Sequence, residues 1–224
     1  MFIVPDITFS YDPRKTTRTP DQLKELVKAN ILTYVSNNLS KFDEYFRYSA
    51  LSRVIDDTEV GITNSNMTIA MKKRFKPIPK VQGEFRIQFD NPIYRPHSGH
   101  SRVIQSTLFN YRGVDNCMVV DRDGIMMIVD ASSSIESLNS YSSDYTVLEE
   151  NIGEVFYETG DVRLRRFVSM TIKDGSDYIY LSAKPRIQDI IPQRNTIITI
   201  DSDDIALSCI DDTLRVVDDK VRSY

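Results

Sequence analysis

Two stretches of this chain place strand-like, largely apolar residues on either side of a glycine-bearing turn. Residues 116–120 and 125–129 flank Asp121-Arg122-Asp123-Gly124, and residues 154–157 and 162–167 flank Glu158-Thr159-Gly160-Asp161. Strand side chains repeat every two residues, and glycine supplies the left-handed backbone that tight connections need. Each stretch therefore reads as an antiparallel hairpin closed by a four-residue loop. Phe85, Ile87 and Phe89, alternating with Glu84, Arg86 and Gln88, predict a half-buried strand that stops at Asn91-Pro92. Further strands are expected at 66–75, 178–182, 196–200 and 205–210. The Ser/Tyr-rich stretch 131–145 reads as an exposed connection.

The first third follows a different rhythm. Residues 2–11 predict a strand or two broken at Pro5, and Asp12-Pro13 marks a turn. Thr19 is a natural helix N-cap, Pro20 suits the first helical position, and Gln22 completes a capping box. Leu23, Leu26, Val27, Ile31, Tyr34 and Val35 then keep helical spacing, which predicts a helix over 20–38. Phe42, Tyr45 and Phe46 form an aromatic connector to a short helix near 50–56. The fold class is α+β: a short helical pair with strands in the N-terminal third, and a β-rich antiparallel remainder. Pro77-Ile78-Pro79 interrupts both patterns, so an α+β domain over 1–80 and a hairpin-built domain over 81–224 are expected.

With 224 residues, 41% hydrophobic and 27% charged, the chain has the makeup of a globular protein with a sizeable core. No apolar run approaches the ~20 residues of a spanning helix. Residues 1–10 lack both a basic and a long apolar region, so no secretory signal is expected. Cys117 and Cys209 lie in apolar strand patterns and read as buried thiols. The net charge of −4 hides an asymmetry: residues 1–112 hold 17 Lys+Arg against 11 Asp+Glu, and residues 113–224 hold 11 against 21. Complementary charge of this kind steers association between chains, or else the two halves present solvated surfaces of different composition.

Catalytic patterns are not visible. His97 and His100 are the only histidines and sit in a Pro/Gly/Ser loop without further ligands at metal spacing, so a solvated loop is expected. Asp121 and Asp123 lack the closing glutamate of a calcium loop. The clusters Asp201/Asp203/Asp204, Asp211/Asp212 and Asp218/Asp219 read as turns and solvated edges. No cofactor is expected, because no phosphate-binding glycine loop occurs. The sharpest charged feature is Lys72-Lys73-Arg74-Phe75-Lys76, continuing to Lys80. Interleaved with Phe75 it could hold phosphates, but strand alternation splits the charges between two faces, and the net acidity argues against dedicated nucleic-acid binding. A contact with a partner protein, with these five residues as its candidate interface, or a charged edge that discourages aggregation is the better reading.

Several strings in order along the chain carry a resemblance. They are Asp12-Pro13-Arg14-Lys15-Thr16-Thr17-Arg18-Thr19, Leu51-Ser52-Arg53-Val54-Ile55-Asp56, and residues 64–67 before a strand. Tyr111-Arg112-Gly113-Val114-Asp115-Asn116-Cys117 and Ile152-Gly153-Glu154-Val155 with Tyr157, Thr159, Gly160 and Val162 follow. Gln188-Asp189-Ile190 with Pro192, Arg194 and Asn195 closes the series. Together they resemble the C-terminal part of the baseplate wedge protein of contractile-tailed bacteriophages, in the baseplate J-like group. The resemblance implies a non-enzymatic structural subunit located in the virion tail baseplate after assembly in the host cytoplasm. It implies pairing with a second copy in each wedge, contacts with other wedge proteins, and lateral joining into a ring around the tail hub. Asp12, Pro13, Thr19, Gly124 and Gly160 are then fold-setting positions. Such proteins are longer, which implies that this chain corresponds to a fragment, an excised domain or a split product. The competing expectation is a β-rich module that reads host-surface glycans through exposed tyrosines, of which the chain has twelve.

Overall fold

A computed structural model describes residues 1–97, 100–132, 145–169, 171–172, 175–193 and 195–213. The chain forms two compact units, one of residues 1–70 with 188–224, the other of residues 71–187. The elements are those of an α+β protein with two helices and twelve strands among the described residues.

In the first unit, β1 (Phe2–Tyr11), α1 (Pro20–Asn38), α2 (Tyr48–Asp56) and β2 (Ile62–Phe75) follow in order, β2 running on into the second unit. The expected break at Pro5 does not occur, and β1 is continuous. Its parallel ladder with β12 (Ala206–Asp211) starts at Asp6, so the missing proline N–H is not required by that ladder. The helix over 20–38 forms as predicted. The Thr19 hydroxyl accepts from the Gln22 N–H at 3.3 Å, and the Gln22 side chain accepts from the Thr19 N–H at 3.0 Å. Leu23, Val27, Ile31 and Val35 bury the helix face at i, i+4 spacing. The second helix begins two residues earlier than expected. Of the connector aromatics only Phe46 is buried; its backbone bridges Ile190, while Phe42 and Tyr45 are exposed. Residues 196–200 do not make a strand: Thr199 forms one isolated bridge to Phe2. Ile198 and Ile200 are buried nonetheless, so the apolar alternation there reflects core packing rather than a ladder.

The second unit is an antiparallel meander with insertions. From the end of β2 the strand order runs through β11 (Ile179–Ala183), β4 (Ser101–Ser106), β6 (Val114–Arg122), β7 (Ile125–Asp130), β8 (Thr146–Phe156) and β9 (Asp161–Phe167) to β3 (Gly83–Gln88). The short strands β5 (Phe109–Tyr111) and β10 (Thr171–Ile172) form a side ladder on β6. β4, β5 and β10 have no counterpart in the sequence reading. One face carries Phe75, Phe85, Phe109 and Phe167, with ring centroids 4.8–6.1 Å apart in tilted and edge-on pairs. A separate cluster gathers Met118, Val120, Met127, Val129, Ala131 and Tyr145. The two residues bounding the expected exposed connection, Ala131 and Tyr145, are thus buried; 133–144 lie outside the described residues.

Both hairpins form, with shorter or shifted loops. Arg122 pairs with Ile125, leaving only Asp123 and Gly124 in the first turn, at φ 53° and 90°. Two left-handed residues match the right-handed strand twist, so the loop closes with two residues rather than four. In the second hairpin Phe156 pairs with Asp161, which moves the four-residue connection to 157–160. Gly160 has φ 70°, and a Cβ there would lie 2.3 Å from the Asn91 carbonyl oxygen. Only glycine satisfies both constraints.

Candidate interaction surface

The basic segment divides by strand alternation. Met71, Lys73 and Phe75 point to one face of β2, and Phe75 and Met71 are buried there. Lys73 is held on that side by Asp90 at 3.2 Å and by the Gln88 carbonyl. Lys72 and Arg74 occupy the opposite face, Lys76 follows just past the end of the strand, and Arg74 and Lys76 are exposed. The neighbouring strand β11 pairs Tyr180 with Arg74 and Ser182 with Lys72. Each cation reaches diagonally or across onto a tyrosine ring: Lys72 to Tyr180 at 4.8 Å, Arg74 to Tyr178 at 4.3 Å, Lys76 to Tyr178 at 5.8 Å. Asp177 accepts from Lys76 at 2.6 Å and, with its charge, raises the lysine's pKa. Lys80 lies in the following connection at φ 63°, its N–H bonded to the Ser169 carbonyl. Three of the five expected interface residues therefore form one row; Lys73 and Lys80 do not join it.

The tyrosines that complete this row were readable only as alternation: Tyr178 and Tyr180 bracket Ile179 in an apolar strand pattern. Their rings lie under cations of the same chain, which makes them poor platforms for a sugar.

The remaining candidates take structural places. Asp12 is buried and accepts from the Arg14 backbone at 3.0 Å and from its guanidinium at 3.0 and 3.1 Å; those bonds hold its carboxyl below the usual range. Pro13 follows it in the turn that leads to the Thr19 cap. His97 and His100 face each other, Nε2 to Nδ1 at 3.3 Å, and burial, then the neighbouring ring, lowers the His100 pKa. Among the described residues no group of three metal-binding side chains occurs. Asp203 and Asp204 lie in a single 3-10 turn at Ser202–Asp204 preceded by Asp201, Asp211 accepts from Thr213, and Asp212 from Thr63. Asp218 and Asp219 lie outside the described residues. Cys117 is buried as expected, but Cys209 on β12 is only half-buried. Burial raises both thiols.

Asp121 is the feature the sequence hid. Read as a loop residue, it is fully buried at the end of β6. It accepts from the Tyr157 hydroxyl at 2.5 Å and the Ile104 N–H at 2.6 Å, while Tyr157 accepts from the Gly124 N–H at 2.9 Å. Burial raises its pKa against these bonds. The network ties β4, the first hairpin turn and the second hairpin together, and its place is structural.

The comparison with known families falls on the first unit. Residues 1–74 match the family model for baseplate structural protein gp6, C-terminal domain III. The matched segment spans β1, α1, α2 and nearly all of β2, so it contains the Thr19 cap, Asp12 and the start of the basic row. No curated protein is significantly similar to the chain. The match supports a phage baseplate protein with a structural role, found in the virion tail baseplate among other baseplate components.

Proposed function

We propose that the chain is a structural subunit of a contractile-tail baseplate wedge, of the baseplate J-like group, that makes subunit contacts in the ring around the tail hub. The observation that carries this is the match of residues 1–74 to the gp6 domain. In this reading the protein pairs with a second copy within each wedge, contacts other wedge proteins, and assembles in the host cytoplasm before it enters the virion. Catalysis has no part in it. Lys72, Arg74 and Lys76 supply one contact surface, Asp12, Pro13, Thr19, Gly124 and Gly160 set turns and the helix start, and Lys73 and Lys80 support the basic strand and its exit. Light scattering on a sizing column, over two decades of concentration at low and high salt, tests the pairing. The proposal expects a dimer or larger species; a monomer under every condition overturns self-pairing.

A further inference from the structure

Around Tyr145 two arginines and a phenol hydroxyl come together with no carboxylate paired to them among the described residues. On β6, Met118, Val120 and Arg122 share one face by alternation, and the first two pack with Met127, Val129 and Tyr145. Arg122 is the polar end of that row. Its guanidinium lies 5.4 Å from the Tyr145 ring centre and donates to the Tyr145 hydroxyl at 3.2 Å. The hydroxyl accepts that bond, so its own proton is left to donate. Arg102 reaches the same ring from β4, 6.0 Å from its centre. β4 and β6 lose register between Ser101 and Gln105, and Arg102 stands in that irregularity at φ 64°. A bulge of this kind re-aims a side chain. Arg102 Nη2 is buried and has no hydrogen-bond partner among the described residues. Asp121, next to Arg122 in sequence, is committed to Tyr157 and the Ile104 N–H, and Asp123 to Arg95.

A buried guanidinium nitrogen without an acceptor is costly until an anion meets it. We propose that Arg102, Arg122 and the Tyr145 hydroxyl form a binding site for a phosphate group, free or at the end of a larger molecule. The donors come from β4, from β6 and from the residue that precedes β8, and phosphate presents oxygens outside any one plane to meet them. The guanidinium fork offers each arginine paired N–H groups for such oxygens. Arg122 is exposed, so the site meets solvent on its side. All three residues belong to the second unit, outside the segment that matches the gp6 domain, so the site stands apart from the baseplate reading.

Inorganic phosphate titrated into the full chain at constant ionic strength tests it, read by the NMR resonances of the arginine Nε–H groups. A saturable shift of two arginine resonances is expected, with none when chloride replaces phosphate. Arg122→Gln, at an exposed position, and Arg102→Gln are each expected to weaken binding about tenfold, Tyr145→Phe severalfold, and Arg166→Gln not at all. Glycerol phosphate separates the two sources: affinity equal to inorganic phosphate marks a terminal phosphate ester, and weaker binding marks the free anion. Acetate that binds as tightly as phosphate, a shift that chloride reproduces, or wild-type affinity in Arg122→Gln overturns the proposal. So does phosphate binding that is absent from the wild type and arises only in the double variant Glu136→Gln, Asp144→Asn, since a carboxylate of the chain itself would then fill the site.

Discussion

In the 1–70 segment, a nineteen-residue helix starts from a capping box whose two hydrogen bonds join residues three apart. In the 71–187 unit, the comparable fixed points join residues far apart: Tyr157 to Asp121, Gly160 against Asn91, Arg86 to Asp161. Local signals announce themselves in a short window of sequence, whereas a sheet is held by groups that no window contains. The same contrast separates what each region tolerates. A lost cap costs one helix end, while a change at a hairpin corner disturbs several strands.

The largest expected effect is at Gly160. Gly160→Ala forces a side chain into a left-handed backbone and onto the Asn91 carbonyl, and chemical denaturation should show a loss of about 3 kcal/mol. Wild-type stability in this variant would break the claim that the hairpin corner fixes the second unit. Tyr157→Phe removes one of the hydrogen bonds that Asp121 accepts in a buried site; the same measurement should show about 2 kcal/mol lost. Thr19→Ala should lower stability by only about 1 kcal/mol, with the loss of helix signal confined to circular dichroism near the transition.

The smallest and most specific effect is in pH dependence. Burial raises the Asp161 pKa, but hydrogen bonds from Arg86 and Arg163 outweigh it and hold the group below the usual carboxylate range. Its contribution is therefore present above the unfolded carboxylate pKa and is lost as pH falls through the depressed one. Asp121 has the opposite sign: its raised pKa means the folded state binds the proton more tightly. Stability from that group falls as pH rises from the unfolded value through the raised one. Asp161→Asn should flatten the acid limb of a stability–pH curve, and Asp121→Asn should flatten the decline above it. Identical curves for the two variants would remove the distinction between these two buried carboxylates.

How far the sequence reached follows the same division. The α1 boundaries were legible because Thr19, Pro20 and Gln22 sit in one turn, and the hairpins because Gly124 and Gly160 mark them. The loop lengths were not, since a two-residue turn depends on Asp123 accepting a left-handed backbone as well as Gly124. β4, β5 and β10 escaped notice because part of their pairing is with strands distant in sequence, β4 with β11 and β5 with β10. Residues 196–200 misled, as apolar alternation marks burial whether or not a partner strand exists. For the interaction surface, the cations were visible as a run, and alternation foretold that they would split. That Tyr178 and Tyr180 would lie under three of them depended on the pairing of β2 with β11, strands about a hundred residues apart in sequence.

The central claim is a structural place in the tail baseplate, and immunogold labelling of purified virions that carry this chain tests it most directly. The account predicts label at the tail end distal to the head, retained after the particles are washed at high salt. Particles without label, or label on the head or along the tail shaft alone, would contradict it.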